Sequence, residues 1–268
     1  PGGYRSLWLV FEGDKDLPIG MSQRKYQGIE RTFFNCAVCH TSTVRAAPDA
    51  KPLTVLGMPA ANFDIMGFER FFFACGADAR FSTEFVIPEI ARLKAARGEK
   101  LGLVDRYVIY PLAVHLMRER LLMLKSRFSF VEAQAKAGDL WGPGRVDTFN
   151  SAKVLFNFPM HKLDPQELMG ASDFPSIWNQ RKKRGMQLHW DGNNTLVEER
   201  NKSAAFGTGT TPPTIDLAAI GRIEDWLLDL PPPSYPFPID AALAARGASI
   251  YKQYCADCHG TNGQDFTG

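Results

Sequence analysis

The chain has 268 residues, 45% of them hydrophobic, with 31 Lys and Arg against 29 Asp and Glu, a net charge of +2. That length holds one large domain or two smaller ones, and the near-balance of charge gives no reason to expect nucleic acid or an anionic membrane as partner. No run of about 18 apolar residues exists, so no transmembrane segment is expected; the most apolar helical stretch, 111–130, is broken by Arg118-Glu119-Arg120.

Residues 1–35 read as irregular, with Gly2-Gly3, Gly13-Asp14 and Pro18-Ile19-Gly20 as turn signals. They lead through the aromatic pair Phe33-Phe34, expected to pack near a haem edge, into Cys36-Ala37-Val38-Cys39-His40. A Cys-x-x-Cys-His pentapeptide can grip a haem at three points: two thiols make thioethers to the porphyrin vinyls, and the adjacent imidazole lies under the iron. The pattern returns at Cys255-Ala256-Asp257-Cys258-His259, so four of the five cysteines lie in two copies of one motif. This predicts two covalently attached haem c groups, with Cys36, Cys39, Cys255 and Cys258 as attachment points and His40 and His259 as iron ligands. Two Cys-x-x-Cys pairs can also make a zinc site, or one a thioredoxin-like redox pair, but neither needs a histidine after the second cysteine both times. Haem c is attached outside the cytoplasmic membrane, so a periplasmic or extracellular bacterial location is expected. No charged and then apolar leader precedes Pro1, and an export signal is expected to have been removed.

A loop rich in Thr, Ala and Pro is expected to about residue 60, followed by the apolar stretch 68–74. Cys75 reads as a buried thiol behaving as a small hydrophobe. Pro88 at a first helical position and Gly98 just past the end predict a helix over 88–97, with Ile90 and Leu93 on one face. A second helix from about Leu112 carries Ala113, Met117, Leu121, Leu124 and Phe128 as a core-facing stripe, with His115 off it. Residues 138–209 are dense in Gly, Asn, Asp and Trp and are expected to wrap a cofactor as ordered loops rather than long helices.

Asp216 predicts the cap of a helix whose Ile220, Ile223, Leu227 and Leu230 form a stripe ending at Pro231-Pro232-Pro233. This proline run is the expected boundary between an N-terminal haem domain, 1–230, and the start of a C-terminal domain, 231–268. Beyond it Asp240 caps a helix in which Gly247, Tyr251 and Cys255 are spaced by four, with Tyr251 expected to pack on the haem. This resembles the opening helix of a class I cytochrome c domain, whose second axial ligand and closing helix lie well downstream; the domain is expected to be incomplete at Gly268. The predicted fold class is mainly α with extensive loops, in a cytochrome c-like di-haem architecture.

Three stretches together resemble the di-haem cytochrome c peroxidase superfamily, and within it the rubber oxygenase branch. They are Leu17-Pro18-Ile19-Gly20 leading to Asn35-Cys36-Ala37-Val38-Cys39-His40, Trp141-Gly142-Pro143-Gly144-Arg145-Val146-Asp147-Thr148-Phe149-Asn150, and His189-Trp190-Asp191-Gly192-Asn193-Asn194 followed by Glu199-Arg200-Asn201. In rubber oxygenases the first haem binds dioxygen and the second is closed by histidines on both faces; in the peroxidases the first haem reduces peroxide and the second feeds it electrons. The resemblance implies that Trp141 lies between the haems and that Phe156 lies on the distal side of the first. An indole between two porphyrins shortens each tunnelling step, and a phenyl ring over iron leaves room for a small ligand while offering none; ordinary packing is the alternative for both. Arg145 suits a haem propionate, since a guanidinium pairs bidentately with a carboxylate, with a surface salt bridge as the alternative. Glu84, Glu89 and Glu99 are candidates by chain position for the distal glutamate of the peroxidase branch. Nothing around Thr43 identifies a polyisoprene substrate.

The expected function is peroxidase or dioxygenase chemistry at the N-terminal haem, acting on peroxide, dioxygen or a small apolar substrate. The C-terminal haem would relay electrons to or from a periplasmic donor or acceptor. The alternative is a non-enzymatic electron-transfer cytochrome with both irons closed, for which His115, His161, His189 and eight methionines offer ligands, Met160-His161 foremost. A subunit docked into a larger redox complex through Arg181-Lys182-Lys183-Arg184 is a third reading, although such a run is usually a solvated loop.

Overall fold

The computed structural model describes residues 3–26, 29–189 and 192–261. Met21–Tyr26 (β1) and Ile29–Phe34 (β2) pair antiparallel, with Met21 opposite Phe34. The expectation of an irregular first 35 residues is corrected here. Beyond Met21 the whole of β1 is exposed, so no apolar alternation marks it, and backbone pairing rather than burial defines the strand. Asn35 then caps a 3-10 turn over Cys36–Val38, its Oδ1 accepting from the Ala37 N–H at 3.0 Å. A second hairpin, Thr41–Val44 (β3) with Leu53–Leu56 (β4), occupies part of the stretch predicted as loop.

Ile65–Ala77 (α1) starts at Asp64, whose Oδ1 accepts from the Gly67 N–H at 2.8 Å. Thr83–Ala96 (α2) begins ahead of Pro88, correcting the predicted start. Ser82 O already accepts from Val86 N at 2.9 Å, so the proline sits inside the helix and removes one bond rather than opening it. The end lies where the sequence puts it: Gly98 N donates to Ala95 O and Glu99 N to Lys94 O, a Schellman closure. A π-turn over Asp105–Ile109 runs into Tyr110–Arg127 (α3), whose buried residues are Tyr110, Val114 and Leu121. Of the predicted stripe only Leu121 is buried, whereas Met117 is exposed. Leu112, Leu116, Leu122 and Met123 are exposed too, so apolar residues surround this helix and spacing alone could not select its inner face.

Ser129–Ala137 (α4) is followed by Arg145–Asp147 (β5), Thr148–Leu155 (α5) and Ala171–Asp173 (β6), with β5 and β6 antiparallel and Arg145 opposite Asp173. Within the stretch expected to avoid long helices, Val197–Gly207 (α6) forms an 11-residue one. It has no apolar stripe, and Glu198 and Glu199 in its first turn favour the helix through its dipole instead. Leu217–Leu228 (α7) and Ala241–Tyr254 (α8) begin where the aspartates predict: Asp216 accepts from Ala219 N and Asp240 from Leu243 N, each at 2.9 Å. Leu227 is the buried member of the α7 stripe, and Ile223 is exposed. Ala256–His259 (α9) carries the second motif.

The protein is thus mainly α, with loops and small two-stranded sheets. It forms two units, one of residues 1–39 and 60–174, the other of 40–59 and 175–268. The break between Cys39 and His40 falls inside the first haem-type motif, and residues 175–230 group with 231–268 rather than with the N-terminal segment. The core of the first unit comprises Leu9, Val38, Phe63, Ile65, Met66, Phe68, Val131 and Trp141, with Phe34, Cys39 and Phe72 against it. Phe68 centres an aromatic cluster, its ring centroid 5.0 Å from Phe34 and 4.5 Å from Phe72. Each fully buried large side chain of this kind contributes about 1.5–3 kcal/mol. Among the described residues no helix is long and apolar enough to cross a membrane.

The turn that delivers Trp141 to this core depends on Gly144, at φ +71, whose N–H donates to Phe63 O at 2.8 Å. A Cβ there would lie 1.7 Å from Ala60 O, whereas Gly138, also left-handed at φ +86, has nothing within 4 Å. Both substitutions by Ala carry the left-handed penalty of roughly 1–2 kcal/mol. Gly144→Ala should lose clearly more than Gly138→Ala in thermal denaturation, and equal losses would contradict the close backbone approach.

Candidate functional site

In the first unit Cys36 is exposed, while Cys39 lies against the core that contains Trp141. Burial pushes the Cys39 thiol up to about 12, and the neighbouring Cys36 adds to this. Such a thiol is a poor nucleophile and a poor metal ligand as it stands. Trp141 is 1% exposed, and its Nε1–H donates to Gln134 Oε1 at 2.8 Å. Gln134 Nε2 donates in turn to Asp147 Oδ2 at 2.8 Å and to Leu168 O at 2.6 Å. Asp147, itself fully buried, accepts further from Asn150 N at 2.9 Å, Asn150 Nδ2 at 2.7 Å and Gly170 N at 3.1 Å. Beside this chain Glu69 on α1 holds its proton up to about 7, because burial and then the Asp147 charge disfavour the carboxylate.

In the second unit His40 is buried and hydrogen-bonds the backbone of Pro175. Proline has no N–H, so its carbonyl accepts and the imidazole donates. Burial lowers the His40 pKa to about 4; the Arg200 charge acts the same way, the Pro175 bond opposes, and Lys183 adds a smaller push. The ring is therefore neutral over the physiological range, the form an iron ligand requires, and a carbonyl on its N–H is the usual means of orienting such a ligand. Lys183 is half-buried and donates to Ser176 O at 3.2 Å, with its pKa lowered by burial and by Arg200. Arg181 instead makes a two-bond pair with Asp229, both at 2.6 Å. The 181–184 run is thus divided between a surface ion pair and a cation near His40. The reciprocal amide pair of Gln180 and Asn201, 3.0 Å from Asn201 Nδ2 to Gln180 Oε1, ties the start of that run to the helix bearing Arg200.

The second motif lies on α9, with Cys255 at its cap and Cys258 and His259 exposed or nearly so. The Tyr251 hydroxyl donates to His259 O at 3.1 Å and to Gly260 O at 2.8 Å. The side chain expected on a haem face thus anchors the backbone at the end of the motif.

Other predicted residues are placed as follows. Arg145 Nε donates to Asp173 Oδ1 at 2.8 Å in an exposed ion pair across the β5–β6 ladder. Phe156, at the end of α5, is 86% exposed. His115 and His161 are exposed, and His189 sits at φ +64. Trp190 and Asp191 lie outside the described residues. Glu84, Glu89 and Glu99 are all exposed, the last two paired with Arg92 and Lys94. Among the described residues Asp147 is buried and Glu69 is half-buried with its Oε2 shielded from solvent, and neither was singled out as a candidate from the sequence. Glu69 carried a signal, an acid within the otherwise apolar first turns of α1.

All described cysteines are free, and among the described residues no three His, Cys, Asp or Glu side chains converge on a metal position. A haem c does not require such convergence, because its thiols reach the porphyrin edge while a single imidazole reaches the iron.

No family model and no solved structure matches the chain. An 88-residue stretch, 33% of this chain, is 40% identical to the uncharacterized protein y4iM of Sinorhizobium fredii (strain NBRC 101917 / NGR234). The match spans 20% of that protein's length.

Glu69 makes stability depend on pH. Its folded pKa of about 7 lies above the 4.5 of an exposed glutamate, so the folded state holds the proton more tightly. Stability is then greatest below the unfolded pKa and falls as pH rises from about 4.5 to about 7. Glu69→Gln should raise Tm at pH 8 and leave it nearly unchanged at pH 4. A Tm gain that is the same at both pH values would contradict the buried protonated carboxyl.

Proposed function

We propose that this chain is a di-haem c-type cytochrome of the di-haem peroxidase and oxygenase superfamily. One haem would be attached at Cys36 and Cys39 with His40 on its iron, the other at Cys255 and Cys258 with His259. The observation that carries this reading is His40, buried and hydrogen-bonded to the Pro175 carbonyl, in the position directly after a Cys-x-x-Cys pair. A histidine with only a structural role has no need of that tandem, and the tandem recurs at the second motif.

When bound, the haem supplies an iron that can take up peroxide or dioxygen and exchange electrons. The chain's own residues do the rest. Cys36 and Cys39 would supply the two thioether sulfurs, each S–H adding across one porphyrin vinyl group so that the sulfur and the hydrogen end on its two carbons. His40 offers one nitrogen lone pair, while Pro175 O holds the other N–H and fixes the ring. Lys183 and Arg200 supply positive charge around His40 of the kind that pairs with haem propionates. Trp141 offers an aromatic step in the electron path, and Phe156 a side chain that cannot ligate iron. Tyr251 steadies the backbone at His259. The substrate in this reading is peroxide, dioxygen or a small apolar molecule, and a periplasmic donor or acceptor completes the electron path.

Low-temperature electron paramagnetic resonance on the oxidised protein, before and after one equivalent of peroxide, tests the enzymatic part. A high-spin ferric signal that peroxide consumes is expected from an open iron on the His40 side. Two low-spin signals indifferent to peroxide, with or without half-reduction, would overturn it in favour of an electron carrier.

A further inference from the structure

Trp141 has a single polar atom, and in a fully desolvated place that atom must be met. Gln134 Oε1 meets it at 2.8 Å, and Gln134 is not free to turn. Its Nε2 faces Asp147 Oδ2 and Leu168 O, both acceptors without a proton to give when the acid is ionised. A flipped amide would set oxygen against those oxygens and N–H against the indole N–H, losing every bond in the chain. Asp147 is held as firmly by Asn150 and the Gly170 N–H. The indole orientation is thus determined from the second residue beyond it.

We propose that Gln134 and Asp147 are positioning residues for Trp141, which keep its Nε1–H as a permanent donor so that an electron removed from the ring leaves the proton in place. This rests on the reading of Trp141 as part of the electron path. The step balances simply. Trp141 loses one electron to a metal-centred one-electron oxidant, ruthenium(III) becoming ruthenium(II) in the test below, the N–H bond stays intact, and the product is a protonated indole radical cation. The other product, a neutral indolyl radical, needs a base within hydrogen-bond reach to take the Nε1 proton. The partner here is a neutral amide oxygen, which is no such base. The positive charge created on the ring faces the Asp147 carboxylate across two hydrogen bonds, in surroundings of low dielectric where that attraction counts for more than in water.

The holoprotein is to be oxidised with photogenerated ruthenium(III) tris-bipyridine, frozen, and read by high-field electron paramagnetic resonance with proton double resonance in H2O and in D2O. Trp141→Phe identifies the signal against the other tryptophans. The expected result is a Trp141-dependent radical with an N–H proton coupling that D2O removes. In Gln134→Glu, where a carboxylate replaces the amide, that coupling should be lost already in H2O. The native spectrum is decisive even where the variant does not fold: a Trp141 radical without exchangeable coupling overturns the inference, and so does the absence of any Trp141-dependent signal. An N–H-retaining radical in a protein whose haems exchange no electrons would sink the electron-path reading and leave the positioning role standing.

Discussion

A carboxylate with no access to water has to be met by donors, and the first unit is arranged around meeting that of Asp147. Its Oδ1 caps α5 through the Asn150 N–H, and its Oδ2 gathers the Asn150 amide, the Gln134 amide and the Gly170 N–H. One side chain thereby ties α4, α5 and the entry to β6 together, and through Gln134 it reaches Trp141 in the hydrophobic core. Losing the carboxylate would strand several buried donors, at about 1–3 kcal/mol for each one left unsatisfied. That stake makes the geometry at Trp141 a property of the fold rather than of a single rotamer. Glu69 beside it keeps its proton near neutrality, which spares the site a second buried negative charge.

The second unit solves a different problem, holding an imidazole neutral in a cationic neighbourhood. Burial does most of this, and Arg200 and Lys183 reinforce it. Arg181 and Lys183 show that the basic 181–184 run is not a uniform solvated face: Arg181 is used at the surface by Asp229, while Lys183 is turned inward.

Much of this was legible in the residues, though unevenly. The two Cys-x-x-Cys-His motifs and the helix caps at Asp216 and Asp240 are local patterns, and local patterns survive reading one residue at a time. Trp141 was picked out by its flanking motif, and its place within the hydrophobic core is one that ordinary aromatic packing gives as well. Gln134 and Asp147 are separated by 13 positions along the chain and meet only because α4 and β5 are folded together, so no spacing rule could pair them. The start of α2 lies ahead of the predicted one because Ser82 O accepts from Val86 N and opens the helix before Pro88, a residue that fits a first turn better than a helix interior. The β1–β2 hairpin escaped because its faces are mostly exposed, leaving no alternation to see. Arg145 shows the limit of reasoning from residue chemistry: a guanidinium suited to any carboxylate is found with Asp173.

The most direct test of the account is the haem content of the protein produced in a bacterial periplasm with its haem attachment machinery, read by intact mass under denaturing conditions and by the pyridine haemochrome spectrum. Two covalently bound haems per chain are predicted, falling to one when Cys36 and Cys39 are replaced by Ser. A chain that emerges with its thiols free, or that carries zinc in place of haem, would contradict the account at its root.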